Sequence, residues 1–254
     1  MTRLPLPIAA LTAALFLSAS PMAAQSVPMT EEDRAAFGAQ VRAYLMENPE
    51  VIFEAVAEFE RRTAEAQSGM DATLVEINAE AIFDDGHSWV GGNLDGDLTL
   101  VEFMDYRCSF CRRAQPQVAD FLSSDGNVRL IVKEFPILGP QSEMMSRFAV
   151  AVQLNGSDAQ YAEAHDRLMA WDGDFTETSA RLLADELGLM AEDVLGGMNG
   201  DEVSAILAAN RELAQRLQIS GTPTFVMGGM DGGELLRGYL PADEMQGIAE
   251  RLRG

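Results

Sequence analysis

Hydrophobic positions along the chain change period near residue 97. Before it, apolar residues recur at helical spacing. "MTEEDRAAFGAQVRAYLMENPE" opens on Thr30, a candidate N-cap, with acids in the first turn. Phe37, Val41, Tyr44 and Leu45 then fall on one helical stripe. Asn48-Pro49 interrupts the run, and Pro49 suits the first position of a second helix whose apolar face is Ile52, Val56 and Phe59. These helices hold too few apolar residues for a core of their own. They must pack on the rest of the chain or on further copies. A mixed stretch follows, in which Gly69, Gly86, Gly91, Gly92 and Gly96 mark turns.

From there the pattern alternates. "DLTLVEF" and "NVRLIVKEF" are near-continuous apolar runs, which predicts central strands covered on both faces. Residues 109–123 lie between them with helical spacing. Four helical stretches come next, 141–155, 158–170, 177–188 and 200–217. "TPTFVMG" and "GELLRGY" read as short strands, and 241–252 closes the chain as a helix. The order predicts an α/β domain over 81–254, with a helical insertion at about 140–217, preceded by a helical segment at 25–80.

The first 24 residues alter the picture. Arg3, an apolar run from Ile8 to Leu17 and small residues up to Ala23 and Ala24 have the layout of a secretory signal peptide. The run is shorter than the ~20 residues a membrane span needs. The expected location is therefore an oxidising, exported compartment. Charge narrows the partners: 18 Lys+Arg against 40 Asp+Glu give a net charge of −22. That argues against nucleic acid and anionic membranes, both of which reward basic clusters.

Only two cysteines occur, Cys108 and Cys111, between the first predicted strand and its helix. A bridge closing so short a loop stabilises little by chain entropy, so a structural role explains the pair poorly. A thiol at a helix N-terminus meets unpaired N–H groups and the positive end of the helix dipole, and the thiolate is favoured there. Cys108 is the candidate nucleophile. Cys111, one turn further in, is placed to resolve a mixed disulfide formed on Cys108. The intervening Ser109-Phe110 lacks a histidine that would stabilise the thiolate, which predicts a less oxidising pair. A closed zinc site needs further Cys or His ligands, and only His87 and His165 are present. No metal and no cofactor are expected.

Glu102 stands inside an apolar strand, where burial raises a carboxyl pKa. It could carry the Cys111 proton. The plainer alternative is an ion pair with Lys133, the only lysine, on the neighbouring strand. Thr222-Pro223 opens a later strand, and sequence alone does not fix the isomer of that bond.

The stretches "VEFMDYRCSFCRRAQP", "VRLIVKEFPILGP" and "NRELAQRLQISGTPTFVMGG", in this order, resemble the DsbA-like branch of the thioredoxin superfamily. "VRAYLMENPEVIFEAVAEFERR" is similar to the helical extension of the suppressor-of-copper-sensitivity C subgroup. The resemblance implies a thioredoxin fold with an inserted helical subdomain. It implies Cys108 as attacking and Cys111 as resolving cysteine, a cis Pro223 facing them, and Thr222 offering backbone groups to an extended substrate. It further implies a periplasmic thiol–disulfide oxidoreductase acting on cysteine-containing exported proteins, an isomerase or reductase recharged by a membrane or periplasmic redox partner. The helical segment would oligomerise it, as a trimer in some relatives. The alternatives are a disulfide-donating oxidase, a Cu(I)-binding protein of copper tolerance, since close thiolates suit Cu(I), and a chaperone-like module working through the amino-terminal helices.

Overall fold

A computed structural model describes residues 29–254; the expected signal peptide, residues 1–24, lies outside the described residues. The chain divides into two compact units, one up to Glu58 and one over Phe59–Gly254.

The first unit contains α1 (Glu31–Glu47) and the start of α2 (Glu50–Ile77). Thr30 caps α1 through a reciprocal box: the Asp33 N–H donates to Thr30 Oγ1 at 3.1 Å, and the Thr30 N–H donates to Asp33 Oδ2 at 3.3 Å. Asn48 ends the helix with its side-chain amide donating to the Tyr44 carbonyl at 2.9 Å. α2 begins at Glu50, one residue later than the proline pattern suggests. No residue of α1 is buried, and Phe37, Val41, Tyr44, Ile52 and Val56 are exposed.

The second unit is built on a five-stranded sheet of order β1-β3-β2-β4-β5. Its strands are β1 (Trp89–Gly92), β2 (Leu98–Met104), β3 (Val128–Glu134), β4 (Thr224–Gly229) and β5 (Gly232–Arg237). β2 and β3 are parallel and joined by α4 (Ser109–Asp125); the other pairs are antiparallel. α3 (Ala79–Phe83) precedes β1, and α10 (Ala242–Arg253) follows β5. Between β3 and β4 come α5 (Pro140–Asn155), α6 (Asp158–Met169), α7 (Glu177–Glu186), α8 (Ala191–Met198) and α9 (Asp201–Arg216).

Strand alternation sorts the core into two layers. Leu98, Leu100 and Met104 of β2 face α4, α10 and the inserted helices, with Val128, Leu130 and Val132 of β3 beside them. Val101 and Phe103 face the opposite layer, where Val75 of α2, Ile82 and Phe83 of α3, and Leu213 and Leu217 pack. The buried Asp71 of α2 forms a two-pronged ion pair with Arg237 of β5.

Among the elements not expected from the apolar pattern are β1 and α8. β1 contains Gly91 and Gly92, which read as a turn. A Cβ at Gly92 would come within 2.6 Å of the Val128 carbonyl, so Gly92 permits close approach to β3, whereas Gly91 makes room for the Trp89 ring. α8 makes a fifth inserted helix; its short "AEDVLGGM" carries two glycines that mask its period.

The expected alternative for Glu102, an ion pair with Lys133, does not form. The parallel register sets Lys133 opposite Phe103, and Glu102 opposite Val132. Their side chains therefore leave opposite faces of the sheet. Lys133 is fully buried among α3 residues, where it pairs with Asp85 and donates to the Ala81 carbonyl at 3.0 Å. Burial opposes the Asp85 charge, yet Lys133 and the Ser88 N–H and hydroxyl hold its carboxyl down at about 2.

Candidate active site

Cys108 is the N-cap residue of α4, with extended backbone at φ −75° and ψ 115°. Three backbone N–H groups hold the loop before it. Asp105, fully buried, accepts from Arg107 at 2.7 Å and from Ile137 and Leu138 at 2.8 and 3.0 Å. The Asp105 carbonyl accepts the Cys108 N–H at 3.0 Å.

Both cysteines are free thiols. Cys108 keeps 7% of its surface exposed and Cys111 none, so an approaching sulfur can reach only Cys108. The Thr222–Pro223 bond is cis. The Cys108 thiol donates to the Thr222 carbonyl at 3.2 Å, which brings "GTP" against the cysteine pair across 114 residues of sequence. The Cys111 thiol is pushed far up by burial and by the Glu102 carboxyl. It stays protonated at neutral pH unless a base takes its proton.

Glu102 lies beneath the pair on the α4 face of β2. It is 3% exposed, and its Oε1 has no hydrogen-bond partner. Burial and the charge of Glu134 push its carboxyl up to about 8. Glu102 also lines a cavity of about 210 Å³ between the sheet, α4 and α6, together with Val118, Val132, His165 and Asp166.

Three residues near the site, Tyr106, Glu134 and Tyr161, were not singled out by pattern, and His165, weighed from sequence only as a metal ligand, joins them. Tyr106 and Tyr161 donate to Glu134 Oε1 at 2.7 and 2.8 Å, and His165 Nδ1 lies 3.1 Å from the Tyr106 hydroxyl. Burial pushes Glu134 up to about 7 in spite of hydroxyls that favour its charge, and pushes His165 down to about 4. The one available signal was Glu134 itself, a second carboxylate within an apolar run. The tyrosines look like ordinary core.

Around Cys108 the surface is apolar with a basic element. Phe110 is 51% exposed, and Ile137 and Leu138 are exposed. The Arg113 guanidinium lies 5.5 Å from the Phe110 ring centre and 5.0 Å from that of Tyr239. Among the described residues, no group of three or more His, Cys, Asp and Glu converges to hold a metal ion.

Residues 99–253 match the DSBA-like thioredoxin domain family, and residues 33–66 match the copper resistance protein ScsC N-terminal domain. The chain belongs to the DsbA-like thioredoxin family. A solved thioredoxin-like oxidoreductase from Silicibacter pomeroyi is 38% identical, with a TM-score of 0.62, covering 69% of this chain and 98% of that one. BcfH from Salmonella enterica Typhimurium is 26% identical with a TM-score of 0.72, covering 88% and 97%. A curated Na(+)/H(+) antiporter NhaA 1 from Salinispora arenicola is 25% identical over 170 residues, 66% of this chain. The chain spans about a quarter of the length of the curated relatives it matches. The fold is that of a DsbA-like thioredoxin domain, in which α5 to α9 are the helical insertion.

Proposed function

We propose that the chain is an exported, periplasmic thiol–disulfide oxidoreductase that acts as isomerase or reductase on cysteine-containing exported proteins. The observation that carries this reading is the asymmetry of the pair: Cys108 is reachable at the start of α4 and Cys111 is sealed beneath it.

In the reductive direction, the Cys108 thiolate attacks a substrate disulfide. One substrate sulfur leaves as a thiolate and is protonated by solvent, and the other forms a mixed disulfide with Cys108. Glu102 takes the Cys111 proton. The Cys111 thiolate then attacks Cys108 Sγ, the Cys108–Cys111 bond forms, and the second substrate thiolate departs. Two electrons pass from the pair to the substrate, and a redox partner restores the dithiol. In isomerisation a substrate thiolate attacks the mixed disulfide first, and the pair returns reduced.

Thr222 and Pro223 serve as the docking edge for extended substrate, with Thr222 backbone groups as hydrogen-bond partners. Phe110 and Leu138 contribute apolar contact beside it. The segment 25–80 holds copies of the chain together, as a trimer; α1, with no buried residue and an apolar stripe, supports this. An oligomer would present several redox sites to one misfolded chain, which suits isomerisation.

The deciding test is reactivation of scrambled ribonuclease by the mature, reduced protein, with Cys108→Ser as control. Recovery with the wild type alone supports an isomerase. Absence of recovery with both removes isomerisation and leaves a reductase or disulfide donor. A second reading, Cu(I) binding by the thiol pair, draws on the match of residues 33–66 to a copper resistance protein domain. Stoichiometric Cu(I) binding without turnover of disulfide substrates would favour it.

A further inference from the structure

We propose that Glu134 is a positioning residue for proton transfer at Cys111: with Tyr106, Tyr161 and His165 it forms a buried unit that shares one negative charge with Glu102. The proposal rests on the reading of Glu102 as acceptor of the Cys111 proton. Glu134 itself touches neither sulfur in this scheme.

Register and burial carry it. β2 and β3 pair in parallel with Met104 opposite Glu134 and Glu102 opposite Val132. Glu102 and Glu134 therefore share one face, two rungs apart, which puts their Cα atoms ~8 Å from each other. Both are 3% exposed. The sole lysine has gone to the other layer, where Asp85 occupies it. The groups that face the two carboxyls are Cys111 from α4, Tyr106 and Asp105 from the loop after β2, Tyr161, His165 and Asp166 from α6, and Ser146 from α5. None is a permanent cation. Two carboxylates this near in a dry interior cannot both ionise at neutral pH, so they titrate as a pair.

The hydrogen bonds decide where the charge rests. Glu134 Oε1 accepts from both tyrosines while its Oε2 has no partner; Glu102 Oε1 has none, and no tyrosine reaches Glu102. With its proton committed to Glu134, the Tyr106 hydroxyl is left to accept from His165 Nδ1. The charge therefore favours Glu134, and its field makes Glu102 hold a proton more tightly, so Glu102 accepts the Cys111 proton only in the fraction of molecules in which it has ionised. An acceptor matched in this way to a buried thiol transfers a proton with less loss than an ordinary carboxylate. Gln115, His165 and Asp166 are the polar groups on the otherwise apolar cavity beside Glu102.

The resolving step isolates this chemistry. The starting state is Cys108 in a mixed disulfide with glutathione, Cys111 as thiol and Glu102 as carboxylate. The products are the Cys108–Cys111 disulfide, glutathione thiolate and Glu102 as acid. The experiment mixes reduced full-length protein with glutathione disulfide, acid-quenches, and follows decay of the mixed disulfide from pH 5.5 to 9. A carbon-13 titration of the Glu102 carboxyl runs in parallel.

In the wild type the rate rises through an inflection that tracks the Glu102 titration, and Glu102→Gln removes it. In Glu134→Gln, which keeps an acceptor for both tyrosines, the inflection moves about one pH unit lower. Tyr161→Phe, which weakens ionised Glu134, moves it the same way by less and carries the test if the Glu134 variant does not fold. An inflection that survives in Glu102→Gln sinks the Glu102 reading and this proposal together. One that vanishes in Glu102→Gln but stays in place in Glu134→Gln or Tyr161→Phe sinks this proposal alone.

Discussion

The two faces of the central strands treat buried charge in opposite ways. On one face, Lys133 is sealed from water but meets Asp85 and the Ala81 carbonyl, and Asp85 gains the Ser88 hydroxyl at 2.7 Å. On the other, Glu102 has an oxygen with no partner and a second carboxylate for a neighbour. The first arrangement offsets the cost of desolvation and holds α3 to the sheet. The second leaves that cost standing beside Cys111. Buried charge that is compensated is structural. Buried charge left uncompensated next to a reactive thiol is chemical.

The largest expected effect belongs to the chemical face. Cys108→Ser abolishes disulfide exchange with a model peptide, while its urea midpoint stays near that of the reduced wild type. Loss of folding along with activity would blur the distinction between the faces.

Next comes the structural face. Lys133→Met strands Asp85 without its cation and lowers stability by about 3 kcal/mol, the low end for a broken buried pair because Asp85 keeps its Ser88 partners. Thiol reactivity at neutral pH is unchanged. Denaturant unfolding and alkylation rates measure the two sides.

Glu102→Gln should do the reverse. The folded carboxyl titrates at about 8 against a usual value of 4.5. Between those values the native state binds the proton that the unfolded state has lost, so this group's stabilisation declines as pH rises from 4.5 through 8. Glu134, at about 7, adds a decline of the same sign. Glu102→Gln removes the Glu102 share, and the variant becomes more stable than the wild type above pH 8, by about 2 kcal/mol. Paired unfolding curves at pH 5 and 9 check this; a constant difference would mean Glu102 does not titrate in this range.

The smallest effect sharpens the compensated side. Ser88→Ala costs about 1 kcal/mol, and the loss is confined to pH values where Asp85 is ionised.

Much of this organisation is legible in sequence because it is local. A strand, a Cys-x-x-Cys at a helix start and a second strand follow from composition and period alone. The Thr30 cap is local too. The Glu102–Lys133 alternative failed for a non-local reason: both are lone charges in apolar runs, and only the register shows that they leave opposite faces. Asp85 sits in "FDDGHS", which reads as a turn, so nothing marks it as the partner of a lysine 48 residues on. Tyr161 reaches Glu134 from an inserted helix, and a tyrosine on an apolar stripe has no mark distinguishing it from core. β1 was hidden because Gly92 serves packing against β3 and Gly91 makes room for the Trp89 ring, rather than either marking the end of a strand.

Asp105 has a consequence for modularity. One carboxylate takes the N–H of Arg107, just before the nucleophile, and those of Ile137 and Leu138, just before the inserted helices. It works as a clasp between the reactive loop and the port where the insertion leaves the sheet. Whatever segment occupies that port starts from a fixed offset to the sulfur. The insertion can therefore vary in length and content while the rim it presents to an incoming chain keeps its alignment with Cys108.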